Sequence, residues 1–163
     1  MKLISHRGNI IGPNFKRENS PSYIDIAISS GYDVEIDINF LNGNFYLGHD
    51  TPDYQITDVW MIARKTNLWF HCKNLNSAIE LINLQEKFNI EFKFFCHSVD
   101  TFVLTSNQCV WVHDLSLKLD NRCIIPLLSE KDIINYNSKT VYAVCTDYIT
   151  LAEYNLKQKG LYK

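Results

Sequence analysis

Several side chains in the first half of this chain stand where they are costly. His6 and Arg7 close a short apolar segment, "KLISHR". Glu35 and Asp37 lie two apart in the apolar run "DVEIDINF", and His49 follows in "LGHD". Titratable groups inside apolar runs cost free energy unless something pairs with them. Along a strand, alternate residues share a face. Val34, Ile36 and Ile38 then take one face, and Glu35 and Asp37 take the other. Two carboxylates pointed the same way repel, and a divalent cation removes that repulsion; oxygen ligands suit Mg²⁺ or Ca²⁺. In "LWFHCK", Trp69, His71 and Lys73 share a face. A histidine and a lysine beside the carboxylate pair would make an anion-binding pocket supported by the metal, fit for a phosphate. The plainer alternative is an edge strand whose carboxylates simply face water, with Lys73 exposed beyond the end of its strand.

The five histidines, at 6, 49, 71, 97 and 113, each fall at or near the end of a predicted strand or hairpin arm. In parallel sheets and barrels, that end holds the site. A lone histidine there would say little, whereas five point to a shared mouth, with two of them serving packing or hydrogen bonding.

The elements that must position these groups alternate. A strand is predicted over 2–6. A helix follows in "ENSPSYIDIAISSG", capped by Ser20, with Pro21 in its first turn and Ile24, Ala27 and Ile28 on its apolar face. Asn42-Gly43 signals a tight turn that returns "DVEIDINF" as "FYLGHD". "TDVWMIARKT" reads as a short helix and "NSAIELINLQEKF" as a longer one, with Ala78, Leu81, Ile82 and Phe88 at core spacing. "LWFHCK", "FKFFCHS", "CVWVHD", "CIIPLL" and "TVYAVCTD" read as strands. A last helix opens on a capping box from Thr150 to Glu153. Strands this apolar, alternating with helices, predict a parallel α/β sheet covered on both faces, either closed or open.

Composition narrows the class. The chain has 163 residues, 46% hydrophobic and 21% charged, which suits a single domain, 1–163, with a real core. A net charge of -2 gives no field to attract nucleic acid or an anionic membrane. There is no membrane-spanning apolar run and no signal-peptide core, so a cytoplasmic protein is expected. The five cysteines, with no C-x-x-C, read as reduced and mostly buried, with Cys109 the more exposed. Nucleotide-binding glycine motifs are missing.

As a set, His6-Arg7, Glu18-Asn19, Glu35-Ile36-Asp37 and His49-Asp50 resemble the glycerophosphodiester phosphodiesterase family of phospholipase-C-like barrels. "VCTDYITLAEY" is similar to that family's last strand, where Thr-Asp leads into the final helix. The third strand departs from the pattern. The family has Glu-x-Lys there, and this chain has His71-Cys72-Lys73. Length departs too, since such barrels typically take about 250 residues. Eight residues separate "VWVHD" from "CIIPLL", where a parallel crossover usually takes about a dozen or more. The resemblance therefore implies a compact, pared-down TIM-type (β/α) barrel, with some outer helices missing on its later side.

The same resemblance implies metal-dependent cleavage of a glycerophosphodiester-like small molecule. Glu35, Asp37 and His71 would hold the divalent ion, Mg²⁺ or Ca²⁺. An imidazole in place of a carboxylate moves the preference towards Mn²⁺ or Zn²⁺. Arg7 and Lys73 would bind the phosphate. His6 as base and His49 as acid, or the reverse, would move the protons. Glu18 and Asn19 would support the site. The family's attacker can be water or a neighbouring hydroxyl of the alcohol. Two other readings stand beside this one: a non-catalytic module that binds a phospho-sugar or lipid headgroup on the same scaffold, and a phosphodiester lyase or hydrolase of another class.

Overall fold

The structure is a computed structural model that describes residues 1–138 and 140–162. Seven strands run parallel. They are β1 (Lys2–His6), β2 (Asp33–Leu41), β5 (Leu68–Cys72), β6 (Lys93–Cys96), β8 (Val110–Val112), β9 (Cys123–Pro126) and β10 (Ala143–Thr146). Their order across the sheet is β6-β5-β2-β1-β10-β9-β8. An antiparallel strand, β7 (Phe102–Leu104), continues it beyond β8. The sheet curls until its ends meet: Ser106, just past β7, donates its backbone N–H to the Phe94 carbonyl at 2.8 Å, and the Phe94 N–H donates to Ser106 Oγ at 2.9 Å. This is a pared-down (β/α) barrel whose last stave runs the wrong way.

The curl is what the alternation of side chains requires. One buried cluster draws Ile4, Trp69, Phe95, Trp111, Ile124 and Cys145 from six different strands, and it fills the barrel. Phe95 stacks on Trp111 with ring centroids 4.4 Å apart. At the N-terminal end of the strands, Asp33 Oδ2 accepts from Trp69 Nε1 at 3.1 Å, Lys2 Nζ at 3.1 Å and Lys93 Nζ at 3.3 Å, and Lys93 lies over the Trp69 ring. These groups close the barrel floor.

Helical cover is uneven. α1 (Pro21–Ser29), α2 (Asp58–Arg64) and α3 (Leu75–Phe88) share a buried cluster with Val34, Ile36, Ile38 and Phe70 on the outer face of the sheet. α4 (Glu130–Asn135) and α5 (Ile149–Gln158) cover β9 and β10. Among the described residues, no helix crosses from β8 to β9; residues 113–122 make that parallel connection as a loop. The crossover can be this short because β8 has only three residues to retrace. β3 (Asn44–Leu47) and β4 (Tyr54–Ile56) form an antiparallel flap on the far half of β2.

Some local expectations need correcting. Ile82 and Phe88 are 42% and 44% exposed and lie off the core. α3 starts at Leu75, capped by Asn74 Oδ1 on the Ser77 N–H, and its buried face is Ser77, Ala78, Leu81 and Leu84. Ser20 occupies the N-cap of α1, yet its side chain makes no cap bond. The Thr150–Glu153 box does not form, because α5 begins two residues earlier, with Tyr148 at the N-cap, and Glu153 accepts from Tyr32 Oη and Lys157 Nζ instead. Cys109 is buried, and Cys96 is the exposed cysteine. Leu81→Ala should therefore lower unfolding free energy by about 2–5 kcal/mol. Ile82→Ala should change it by less than about 1 kcal/mol in the same urea titration.

Candidate active site

The C-terminal ends of β1, β2, β5, β6, β8 and β10 converge on one mouth. His6 ends β1, and the chain then reverses through Arg7 (φ 55) and Gly8 (φ 90). Gly8 suits both its left-handed backbone and its crowding, since a Cβ there would meet the Tyr23 ring at 3.0 Å. The reversal folds the Arg7 side chain back over β2. Gly48 plays the matching part before His49. Its N–H donates to the Asp37 carbonyl at 3.1 Å, and a Cβ at Gly48 would run into the Thr51 carbonyl.

Glu35 and Asp37 point into the mouth and are 2% and 0% exposed, which rules out a water-facing edge strand. Asp37 is held on every side. Asn19 Nδ2 donates to its Oδ2 at 2.9 Å, and the Asp37 N–H donates back to Asn19 Oδ1 at 3.0 Å. Asn19 takes a left-handed backbone (φ 61), which asparagine tolerates, to make this pair. Arg7 Nε lies 2.8 Å from Asp37 Oδ2, His71 Nδ1 3.2 Å from Oδ1, and Lys73 Nζ 3.7 Å from Oδ1. Burial opposes ionisation of Asp37. The His71 bond, the Arg7 charge and the Asn19 bond outweigh it and hold the carboxyl well below the usual carboxylate range.

His71 also reaches Glu35 Oε1 at 3.6 Å and stacks on Phe95. Burial works against its charge, but the bonds to Asp37 and Glu35 prevail and push its pKa up to about 9. His6 donates from Nδ1 to Asp147 Oδ1 at 2.8 Å, which leaves Nε2 facing Glu35 Oε2 at 3.8 Å. For His6, too, burial is outweighed, by the Asp147 bond and the Glu35 charge, and its pKa is raised.

A cavity of about 200 Å³ opens at this mouth, lined by His6, Arg7, Glu35, His49 and His71 on one side. Phe95, Trp111, His97, His113 and Leu128 line the other side. His49 is half-exposed on the bend after β3, with Nδ1 on Asp50 Oδ1 at 2.6 Å. Lys73 does not line this cavity. It borders the next depression, beside Cys72 and His97, although its ammonium stays close to Asp37.

Glu18 holds one cation and one amide, accepting from Arg7 Nη1 at 3.2 Å and from Asn9 Nδ2 at 2.9 Å. Asn9 and Asp147 belong to the site and were not singled out as site residues from the sequence. Asn9 Nδ2 also donates to Asp147 Oδ1 at 2.8 Å, tying the two ends of the chain together. The Thr146-Asp147 pair in "VCTDYI" was the available signal for the latter.

The trio Glu35, Asp37 and His71 suits a divalent cation. Each offers a ligand atom, and those atoms lie within 4.8 Å of one another. Glu35 Oε2 is buried without a hydrogen-bond partner, as an atom meant for a ligand would be, and the buried Asp37 Oδ1 meets only His71 and Lys73. Two carboxylates and an imidazole form a mixed donor set with less negative charge than three carboxylates.

The fold is similar to that of a solved structure. That structure is a glycerophosphodiester phosphodiesterase from Agrobacterium tumefaciens strain C58, with a TM-score of 0.63 at 13% identity, covering 93% of this chain and 97% of that one. No family model matches the chain, and no curated protein matches it in sequence. Identity this low makes the likeness one of architecture. Among the described residues, no helix is long and apolar enough to cross a membrane.

His97 and His113, at the ends of β6 and β8, stack face to face with centroids 3.8 Å apart. Burial, reinforced by neighbouring imidazoles, lowers His113 to about 4 and also lowers His97. The far wall of the cavity is thus neutral and aromatic, opposite a charged near wall.

Proposed function

We propose that this chain is a metal-dependent phosphodiesterase acting on a small glycerophosphodiester-like substrate. The observation that carries the reading is the cluster of two buried carboxylates and an imidazole, with Glu35 Oε2 free of any hydrogen bond, beside two cavity-lining histidines, each with a ring nitrogen held by a carboxylate.

Glu35, Asp37 and His71 would hold the ion, with Mg²⁺, Ca²⁺ or Mn²⁺ the candidates. When bound, it would neutralise charge on a non-bridging phosphate oxygen. Arg7 lines the cavity, and its guanidinium keeps donors beyond those spent on Glu18 and Asp37. They would grip the phosphate, with Lys73 adding positive charge from behind Asp37. His6 acts as the base. Its Nδ1 proton is engaged by Asp147, so Nε2 carries the lone pair that takes a proton from the attacking hydroxyl or water. Asp147 also stabilises the imidazolium that results. His49, as an imidazolium with Nδ1 on Asp50, donates from Nε2 to the departing alkoxide.

A second reading has support of its own. The His71 ring spans Glu35 and Asp37 and can serve as an internal cation in the ion's place. On that reading the cavity holds a phosphorylated headgroup without turnover.

Turnover of bis(p-nitrophenyl) phosphate, measured after chelation and then with Mg²⁺, Ca²⁺ or Mn²⁺ restored singly, separates the two. Activity returning with at least one ion is the expected result. No turnover with any ion, alongside saturable binding of glycerophosphate, would replace the enzyme with the binding module.

A further inference from the structure

The outer wall of the barrel beside this site carries a pair of thiols. Cys72 ends β5, Cys96 ends β6, and the two are register partners in adjacent parallel strands. Partners in adjacent strands stand about 4.8 Å apart. A disulfide joins Cα atoms about 4.4–6.8 Å apart. His71 and Phe95, the preceding residues, stack inside the barrel, so alternation turns both cysteines to the same outer face. There they border one depression with Lys73, His97 and Asp100. Neither is bonded to another cysteine; Cys96 is exposed and Cys72 is buried.

We propose that Cys72 and Cys96 form a reversible disulfide, with low-molecular-weight disulfides such as glutathione disulfide as the oxidant. The accessible Cys96 gives up its proton and attacks one sulfur of glutathione disulfide. A Cys96–glutathione bond forms, the glutathione S–S bond breaks, and the first glutathione leaves as a thiol carrying that proton. Cys72 then gives up its proton and attacks the Cys96 sulfur. The protein disulfide forms, the mixed disulfide breaks, and the second glutathione leaves as a thiol. The protein is oxidised by two electrons, and glutathione disulfide is reduced by two.

The bond would be labile. Register partners project their Cβ atoms side by side at about the strand spacing. A relaxed disulfide wants them about 3.5–4.5 Å apart. Forming it draws the ends of β5 and β6 together, and strained disulfides are the more readily reduced ones. Those ends carry His71, Lys73 and His97, so the cross-link lies where it can disturb the mouth. Any effect on turnover rests on the proposed function, whereas the cross-link does not.

The test is intact mass and peptide mapping of the folded protein after glutathione disulfide treatment and acid quench. Wild type should lose the mass of two hydrogen atoms, with the Cys72 and Cys96 peptides joined, and dithiothreitol should reverse this. Cys72→Ser should stop at one glutathione adduct on Cys96, and Cys96→Ser should give neither product. Should either variant misfold by circular dichroism, the wild-type map alone decides. Wild type that stays unmodified, stops at a stable adduct on Cys96, or bridges through Cys109, Cys123 or Cys145 would overturn the proposal.

Discussion

Replacing His6 by alanine should cut phosphodiester turnover by about 10²- to 10⁴-fold, the usual worth of a positioned general base. KM should move far less, because on the proposed function it is Arg7 that grips the phosphate, with Lys73 adding charge from behind Asp37, and not the imidazole. The size of the effect follows from how fully His6 is committed. Its Nδ1 is fixed by Asp147 at 2.8 Å, its ring is mostly buried, and its Nε2 faces the cavity. On the proposed function the other near-wall groups are committed elsewhere: Arg7 is a permanent cation, the His71 ring is engaged by carboxylates, Glu35 would hold the ion and His49 would serve as the acid. Asp147→Asn is the companion variant. It keeps the ring and loses the charge behind it, so its kcat should fall between wild type and His6→Ala, with the acidic limb of the kcat profile, which the base sets, moved to lower pH. A His6→Ala protein that kept more than about a tenth of wild-type kcat would remove His6 from the proton transfer.

In chelator, the protein should lose stability as pH rises from about 6.5 to about 9. His71 titrates at 6.5 in an unfolded chain and at about 9 in the fold. A raised folded value means that the native state binds the proton more tightly. That stabilisation is complete below 6.5 and is lost as pH rises through 9, and it amounts to about 3 kcal/mol. A divalent ion on Glu35 and Asp37 competes with the same proton, so ion affinity should climb across the same window. His71→Glu removes the internal cation and adds a third carboxylate. It should be less stable than wild type in chelator, bind Mg²⁺ or Ca²⁺ more tightly, and move the activity profile to lower pH. Urea midpoints against pH, with calorimetric titrations of Mg²⁺ and Mn²⁺ into both proteins, check each part. Unchanged ion affinities in His71→Glu would mean that His71 is no ligand.

The groups at the ends of long, apolar strands were the ones legible in the sequence. Period-two alternation in "DVEIDINF" is strong enough to separate Val34, Ile36 and Ile38, which pack under the helices, from Glu35 and Asp37, which face the mouth. The elements that were not legible are β4, β7 and α4. They are too short for any period to register and lack the apolar runs that marked the other short strands, and the barrel closes just past β7 through the backbone and hydroxyl of a single serine, Ser106. Asp147 escaped for a different reason. Its partners, His6 and Asn9, lie about 140 positions away, and only the closing of the sheet brings them within reach. Glu153 shows local chemistry overruled by tertiary contacts. A residue placed to cap a helix instead bonds Tyr32, 121 positions distant. On α3, shifting the start to Leu75 left Ile82 and Phe88 turned half-outward.

Asp33, Lys93, Lys2 and Trp69 seal one end of the barrel. The cavity lies at the opposite end and measures about 200 Å³. On the proposed function, the two alcohols of a diester would meet unequal surroundings there, one against the aromatic wall of Phe95 and Trp111 and the other towards the exposed His49 and solvent. Such an enzyme would select on one half of its substrate more than on the other.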